Sequence, residues 1–357
     1  MHCTMSLHRA VAVSVVYLLV YYAWIDPIPF ANSLSAAPPS KNPDVLRSYV
    51  FLGKARCWEV LSNDVVVSNS DNDAEEEEEE DEVEYWYPTR KRHFEFSIPS
   101  VVSSSTSSAT TTIRQTSFGC GKLGAEVWES SVALCLYLGL QQEEQKSSCK
   151  GKRILELGAG CGLPSVLCRD YLEASAVLAT DFWETTGDDF DGDRLVPTKF
   201  HGLNLEYNVH NSHSRDVSTN DGVAETLVQR LDWHDRESAT AARDSFRPDL
   251  VIGSDLVYYS MDVEPLLNVL EILLDASSSS SEQQQQNNND NKSTTRVVLA
   301  LPLSPAKREA LPEFRSKVQE RFSQTHIVQL QELDLIREDA DSEGEDSVHL
   351  FIDIVPK

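Results

Sequence analysis

The sequence predicts an α/β domain: a sheet of seven mostly parallel strands, helices on both faces, and an antiparallel hairpin at the C-terminal end. Three observations carry this expectation. Short apolar runs alternate with helix-length amphipathic stretches beyond residue 118. A glycine-rich turn follows the first of those runs. The last two runs have no room for a helix between them, which makes them a hairpin at one edge. Alternating strands and helices imply parallel pairing with both faces of the sheet covered.

In chain order, Ala125 to Leu140 places Val127, Ser131, Leu134 and Leu138 at helical spacing, with Trp128, Val132 and Cys135 beside them. Arg153 to Leu157 is a short buried strand running into glycines. Ser165 to Leu172 reads as the next helix and Ala176 to Asp181 as the second strand. Thr226 to Leu231 is the third strand, and Asp249 to Gly253 is the fourth, followed by a helix over Val263 to Leu274. Arg296 to Leu301 is the fifth, with a helix over Pro305 to Phe322. His326 to Leu330 and Val348 to Val355 close the chain.

Ahead of this pattern, Val45 to Leu52 and Trp58 to Val67 suggest an N-terminal hairpin. Tyr85 to Tyr87 and His93 to Ile98 alternate like strands, and the Ser/Thr-rich stretch 100–112 reads as a loop. The organisation expected is a leader over 1–40, an N-terminal extension over 41–117, and the main domain over 118–357. A low-complexity insert at 277–295 interrupts that domain, and its Gln and Asn tracts are a surface excursion because their amides are costly to bury. Asp71 to Glu84 is so densely acidic that self-repulsion predicts disorder.

The leader carries an apolar run from Ala10 to Ile25, followed by small residues over Ala31 to Ala37. Its length lies between a signal-peptide core of roughly 7–15 residues and a spanning helix of roughly 20. A cleaved leader and a short signal anchor both fit. Either predicts membrane association or entry into an organelle; without them the chain is cytoplasmic. In a secretory setting Asn291-Lys-Ser293 becomes a glycosylation acceptor.

Charge narrows the function. Acidic side chains number 57 against 31 basic ones, a formal charge of −26, which argues against a nucleic-acid partner that needs a basic surface. Hydrophobic residues at 41% supply a sizeable core. Seven cysteines without a CxxC pair predict neither a disulfide framework nor a structural zinc site. The acids Asp188, Asp189, Asp191 and Asp193 in the loop from Phe182 to His201 lack the glycine and terminal Glu of a calcium loop, so no metal is expected and the loop reads as a solvated insertion.

The glycine turn is Glu156-Leu-Gly-Ala-Gly-Cys-Gly162, placed between the first strand and its helix. Glycines admit a ligand close to the backbone, and the helix N-terminus offers free N–H groups. A dinucleotide fingerprint needs its third glycine at 163, where Leu163 stands. Asp181 ends the second strand, where an acid commonly grips ribose hydroxyls. It sits at the sheet's rim, outside the expected core.

This turn resembles motif I of the S-adenosylmethionine-dependent methyltransferases with a Rossmann-like, seven-stranded sheet. More closely, the chain resembles the lysine methyltransferase-like family called methyltransferase family 16. The matching pieces are Gly124-Ala-Glu-Val-Trp128, the glycine turn, Thr180-Asp181, Asn204 with Asn208, Leu231-Asp-Trp233 and Gly253-Ser-Asp-Leu-Val-Tyr258. They cover about residues 118–355. The resemblance implies S-adenosylmethionine as cofactor and a protein presenting a lysine as partner. It implies that Glu156, Gly158 and Gly160 shape the cofactor turn, that Asp181 holds the ribose, and that Trp233 packs on the adenine with Asp232 near its amino group. Trp128 would cover the cofactor and Ser254 would line the floor near the sulfonium. Asp255 and Tyr258 carry the family's Asp-x-x-Tyr signature and are the catalytic candidates.

Rival roles stay open at this point. Trp128 and Trp233 suit core packing, Asn204 and Asn208 suit a ligand-free helix face, and Asp255 suits a cap on the helix after it. The acceptor is a lysine, another nucleophile such as a histidine or small-molecule amine, or absent in a non-catalytic relative. The substrate protein and the oligomeric state are not legible.

Overall fold

The computed structural model describes residues 45–60, 89–98, 109–116, 123–143, 149–183, 204–210, 224–275, 295–303, 309–338 and 346–357. The leader, the acidic run, Tyr85 to Tyr87, most of the loop after Phe182 and nearly all of the low-complexity insert lie outside them. Among the described residues, no helix is long and apolar enough to cross a membrane.

The N-terminal part supplies β1 (Val45–Phe51), β2 (Ala55–Val60), β3 (Thr89–Ser97) and β4 (Ala109–Thr116). A 3₁₀ turn over Leu123–Ala125 leads into α1 (Glu129–Glu143), then β5 (Arg153–Leu157), α2 (Leu163–Asp170) and β6 (Ala176–Asp181). A helical stretch, α3, covers 204–210. Next come β7 (Glu225–Arg230), α4 (Arg236–Phe246), β8 (Leu250–Ser254) and α5 (Ser260–Leu274). The chain ends with β9 (Arg296–Pro302), α6 (Leu311–Phe322), β10 (His326–Glu338) and β11 (Asp346–Pro356).

The α/β expectation holds, but the sheet differs from the one expected. Among the described residues it has eleven strands in the order β4-β3-β2-β1-β10-β11-β9-β8-β5-β6-β7. Only the stretch β7-β6-β5-β8-β9 is parallel, so the sheet is mixed, not mostly parallel. The C-terminal hairpin is present as β10 and β11, but it lies inside the sheet. β1 pairs with the far half of β10, Ser48 opposite Glu338 and Phe51 opposite Leu335, and extends the sheet through β2, β3 and β4. Residues 109–112, expected in a loop, are the first half of β4, with Thr112 opposite His93.

Strand alternation sorts the helices into two layers. Ile154, Ile252, Val298 and Phe351 share a cluster with Val132 and Leu138 of α1 and Val166 of α2. Their neighbours Leu155, Val251, Leu299 and Leu350 share another with Phe246 of α4, Leu270 of α5 and Phe314 of α6. Tyr49, Phe51, Phe94, Phe96 and Ile113 of the N-terminal strands belong to the first cluster. Those strands therefore help to bury α1 and α2.

One buried ion pair joins this N-terminal layer to the chain entering α1. Arg92 donates from Nε and Nη2 to the Glu59 carboxylate at 2.7 and 2.6 Å, and from Nη1 to the carbonyl of Val127 at 2.9 Å. Removing Arg92 leaves the buried Glu59 carboxylate with only Arg47, at 4.0 Å, and breaking a buried pair in this way costs roughly 3–5 kcal/mol. Arg92→Met should therefore lower unfolding free energy by about that amount in a urea titration. Adding Glu59→Leu in the same chain should restore most of it; a double variant no more stable than the single one would show that lost packing, not the orphaned carboxylate, sets the cost.

Candidate active site

β5 ends at Leu157 and the chain turns through Gly158 and Gly160 into α2. Both glycines have positive φ, +57° and +55°, a conformation other residues adopt at a cost. Space is also tight at Gly158, whereas at Gly160 a side chain meets only ordinary contact. A Cβ on Gly158 would stand 2.6 Å from Leu256 Cδ2 and 3.5 Å from Trp233 Cζ2, and one on Gly160 would stand 3.4 Å from the Cα of Gly124.

The turn is pinned to the end of β6. Gly160 N donates to Asp181 Oδ2 at 2.6 Å, Ala159 N donates to the carbonyl of Thr180 at 2.9 Å, and Phe182 N donates to Asp181 Oδ1 at 2.6 Å. Asp181 is thus a structural anchor as well as a cavity-wall residue, which the rim position alone did not reveal.

A cavity of about 610 Å³ opens where β5, β6 and β8 end, the position at which open α/β sheets bind ligands. Its wall includes Trp128, Gly158, Gly160, Asp181, Asp232, Trp233, Ser254, Asp255 and Tyr258. Every site residue expected from the sequence is there except Glu156. Trp128 is fixed by its indole N–H, which donates to the carbonyl of Leu123 at 2.7 Å. Ser254 Oγ lies 3.0 Å from Ser131 Oγ across the floor. Asp232 accepts from the backbone N–H of His234 at 2.9 Å and lies 3.6 Å from the Arg230 guanidinium.

Asp255 is buried and its backbone is left-handed, with φ +56°. Its N–H donates to the carbonyl of Ala300 at 2.9 Å, tying the turn after β8 to β9. The capping role for Asp255 does not hold. α5 begins at Ser260, its N-cap is Tyr259, and no side chain caps it.

Several wall residues gave no sequence signal. Ser131 read only as a helix face, Glu126 stood inside the Gly124 to Trp128 match without a role, and His234 and Asp262 belong to no recognisable spacing. His234 Nε2 stands 3.4 Å from Asp262 Oδ1, an ion pair when the imidazole is protonated. Asn204 and Asn208 are absent from the wall. Instead Asn208 Nδ2 donates to the carbonyls of Cys161 and Arg114 at 2.9 and 2.8 Å, and Arg114 Nε donates to Asn204 Oδ1 at 2.7 Å. The pair braces the glycine turn against β4.

Part of the chain is similar to known proteins. Residues 107–187 and 203–294 match the family model described as lysine methyltransferase, and its break falls within the loop read as an insertion. The chain is 28% identical to protein N-lysine methyltransferase METTL21A of Danio rerio, over 42% of this chain and 56% of the relative. It is 30% identical to protein-lysine methyltransferase METTL21E of Bos taurus, over 40% of this chain and 41% of the relative. It is 28% identical to protein-lysine N-methyltransferase EFM3 of Chaetomium thermophilum, over 43% and 40%. The chain thus spans about half the length of the curated relatives it matches. Among solved structures, a SAM-dependent methyltransferase from Anabaena variabilis aligns with a TM-score of 0.39 at 11% identity, over 64% of this chain and 87% of that one.

Glu156 is the correction. It lies on the same side of β5 as Ile154, faces the α1 and α2 layer, and is fully buried away from the cavity wall. Its Oε2 accepts from the Ser165 N–H at 2.9 Å and from the Ser165 hydroxyl, while Oε1 has no partner. Burial pushes its carboxyl from 4.5 up to about 8, against the opposing Ser165 bonds. The folded chain therefore keeps a proton that the unfolded chain releases. Stability from this site is complete below pH 4.5 and declines as pH rises towards 8. Glu156→Gln cannot ionise, so its stability relative to the parent should climb through that window when urea unfolding is followed at several pH values. A difference that stays constant with pH would mean that Glu156 is charged in the fold.

Proposed function

We propose that this chain, whose residues 107–187 and 203–294 match the lysine methyltransferase family model, is an S-adenosylmethionine-dependent enzyme that transfers a methyl group to a lysine side chain of a protein substrate. The observation that carries the reading is the convergence of the glycine turn, Asp181 and Trp233 with Asp255 and Tyr258 on one cavity wall. We read β7-β6-β5-β8-β9-β11-β10 as the Rossmann-like seven-stranded unit of this reading, with β1 to β4 as an addition to its edge.

The residues present fit the cofactor. The side-chain-free backbone at Gly158 and Gly160 admits its methionine part closely. Each Asp181 oxygen accepts one backbone N–H, and a carboxylate with about four acceptor positions retains capacity for ribose hydroxyls. Trp233 offers a flat face for adenine with Asp232 beside it, Trp128 covers the entry, and Ser254 forms the floor. When bound, S-adenosylmethionine supplies an electrophilic methyl group on a positive sulfonium.

The acceptor amine has a reference pKa of about 10.4 and attacks only once its proton is gone. Desolvation in the cavity lowers that pKa, as does a neighbouring positive charge. Asp255, held in place by the bond from its N–H to Ala300, orients the amine. The ring of Tyr258 tolerates the growing methylammonium charge by cation–π attraction. Positioning is the main contribution of these residues.

Two variants separate the two halves of the site. Asp181→Ala removes charge-assisted hydrogen bonds of roughly 1.5–3 kcal/mol each, so calorimetric affinity for S-adenosylmethionine should fall about ten- to a hundredfold or more. Because the same carboxylate pins Gly160, the melting temperature should fall too; unchanged affinity would mean the glycine turn holds something else. Asp255→Asn is the cleaner acceptor-side probe, since Asn tolerates a left-handed backbone where Ala is strained. It should keep cofactor affinity and melting temperature yet lose most methyl transfer, with Tyr258→Phe losing less. Full activity in Asp255→Asn would remove Asp255 from the mechanism.

A further inference from the structure

We propose that the start of α5, from Tyr259 to Asp262, is a docking ledge for the chain that carries the acceptor lysine, and that it selects a segment with a basic residue close to that lysine. The inference deepens the lysine methyltransferase reading of the same cavity and rests on it.

Two observations converge on this ledge. Tyr259 is 59% exposed and Met261 is 73% exposed, the two most exposed large apolar side chains among the described residues. Met261 adjoins two cavity-wall residues, Tyr259 and Asp262, in sequence, and exposed apolar surface beside a cavity with polar neighbours suits an interaction site. Tyr259 lines the cavity beside Tyr258, their ring centroids 6.5 Å apart and inclined at 43°. The second observation is the sign of the charge. Among the described residues lining the cavity there are five acids, Glu126, Asp181, Asp232, Asp255 and Asp262, and no lysine or arginine.

Those acids are not equivalent. Asp181 and Asp232 face the cofactor in the proposed function, and Asp255 faces the amine. Glu126 and Asp262 are left over, and of these Asp262 lies on the ledge, in the first turn of α5, with His234 at 3.4 Å. A carboxylate at a helix start is favourable by itself, which accounts for its stability but not for its place on the cavity wall. An incoming guanidinium or ammonium meets the Asp262 charge and the face of Tyr259 together, its methylenes lying on Met261. An acidic segment meets five like charges instead, which excludes it.

The test uses the full chain and two short fluorescent peptides, each with one central lysine. One carries arginine two positions before and after that lysine, and the other carries glutamate there. Fluorescence anisotropy without cofactor should show the arginine peptide binding about tenfold tighter at low ionic strength, a margin that narrows with salt. Asp262→Asn and Tyr259→Ala should each cut the margin several-fold while the chain still melts cooperatively. Equal binding of the two peptides overturns the proposal. So does a margin that neither variant changes, which would assign it to the acidic run at 71–84. Transfer of radiolabelled methyl to the peptides is scored separately. An arginine preference that depends on Asp262 without any methyl transfer supports the ledge and counts against the enzymatic reading, so the two failures are distinguishable.

Discussion

The cavity is built on close packing at Gly158, where the absence of a side chain lets separate parts of the chain meet. Leu256 Cδ2 occupies the space 2.6 Å from where a Cβ would stand, and the edge of Trp233 lies just beyond. The turn after β5 therefore touches the turn after β8 and the loop after β7 directly. Gly160 packs on the other side, where a Cβ would lie in van der Waals contact with the backbone at Gly124. Four segments from separate parts of the chain meet at these two glycines. A side chain at Gly158 displaces Leu256, and one at either position strains a left-handed backbone.

The N-terminal strands serve that closure from a distance. Arg92 of β3 reaches the carbonyl of Val127 beside Trp128, and Arg114 of β4 accepts and donates through Asn208, which in turn holds the carbonyl of Cys161. Both contacts end within a residue of the cavity wall. What looked like an extension ahead of the domain is paired into its sheet and fixes two of the segments that shape the site.

Much of this was legible because it is local. The apolar runs at 153–157 and 176–181, the glycine turn and the acid at 181 declare themselves within short windows, and β6 spans the residues expected of it. α4 escaped notice because it buries only Ala239, Ala242 and Phe246, too thin a stripe to stand out by hydrophobicity. The pairing of β1 with β10 joins residues at opposite ends of the chain, and no local pattern encodes it. Asn204 and Asn208 were recognisable as a pair, but their partners, Arg114 and Cys161, are far away in sequence. Glu156 misled for the opposite reason. Its place in a ligand-binding motif suggested contact with the ligand, whereas strand alternation puts it on the side of Ile154, facing helices.

Burial of Glu156 also bears on charge at the turn, because the Asp181 carboxylate on the cavity wall is among the causes that hold the Glu156 proton. A second buried group bears on the same pH range with the opposite sign. His349 of β11 is buried, and desolvation pushes its imidazole from 6.5 down to about 4. The fold refuses a proton that the unfolded chain accepts, so stability from His349 is present above pH 6.5 and is lost as pH falls towards 4. Each group contributes a slope of one proton, and the slopes oppose each other between pH 4.5 and 6.5, where both act. Above 6.5 the imidazole is neutral in both states and contributes no slope, so of these two groups Glu156 alone sets the decline towards pH 8.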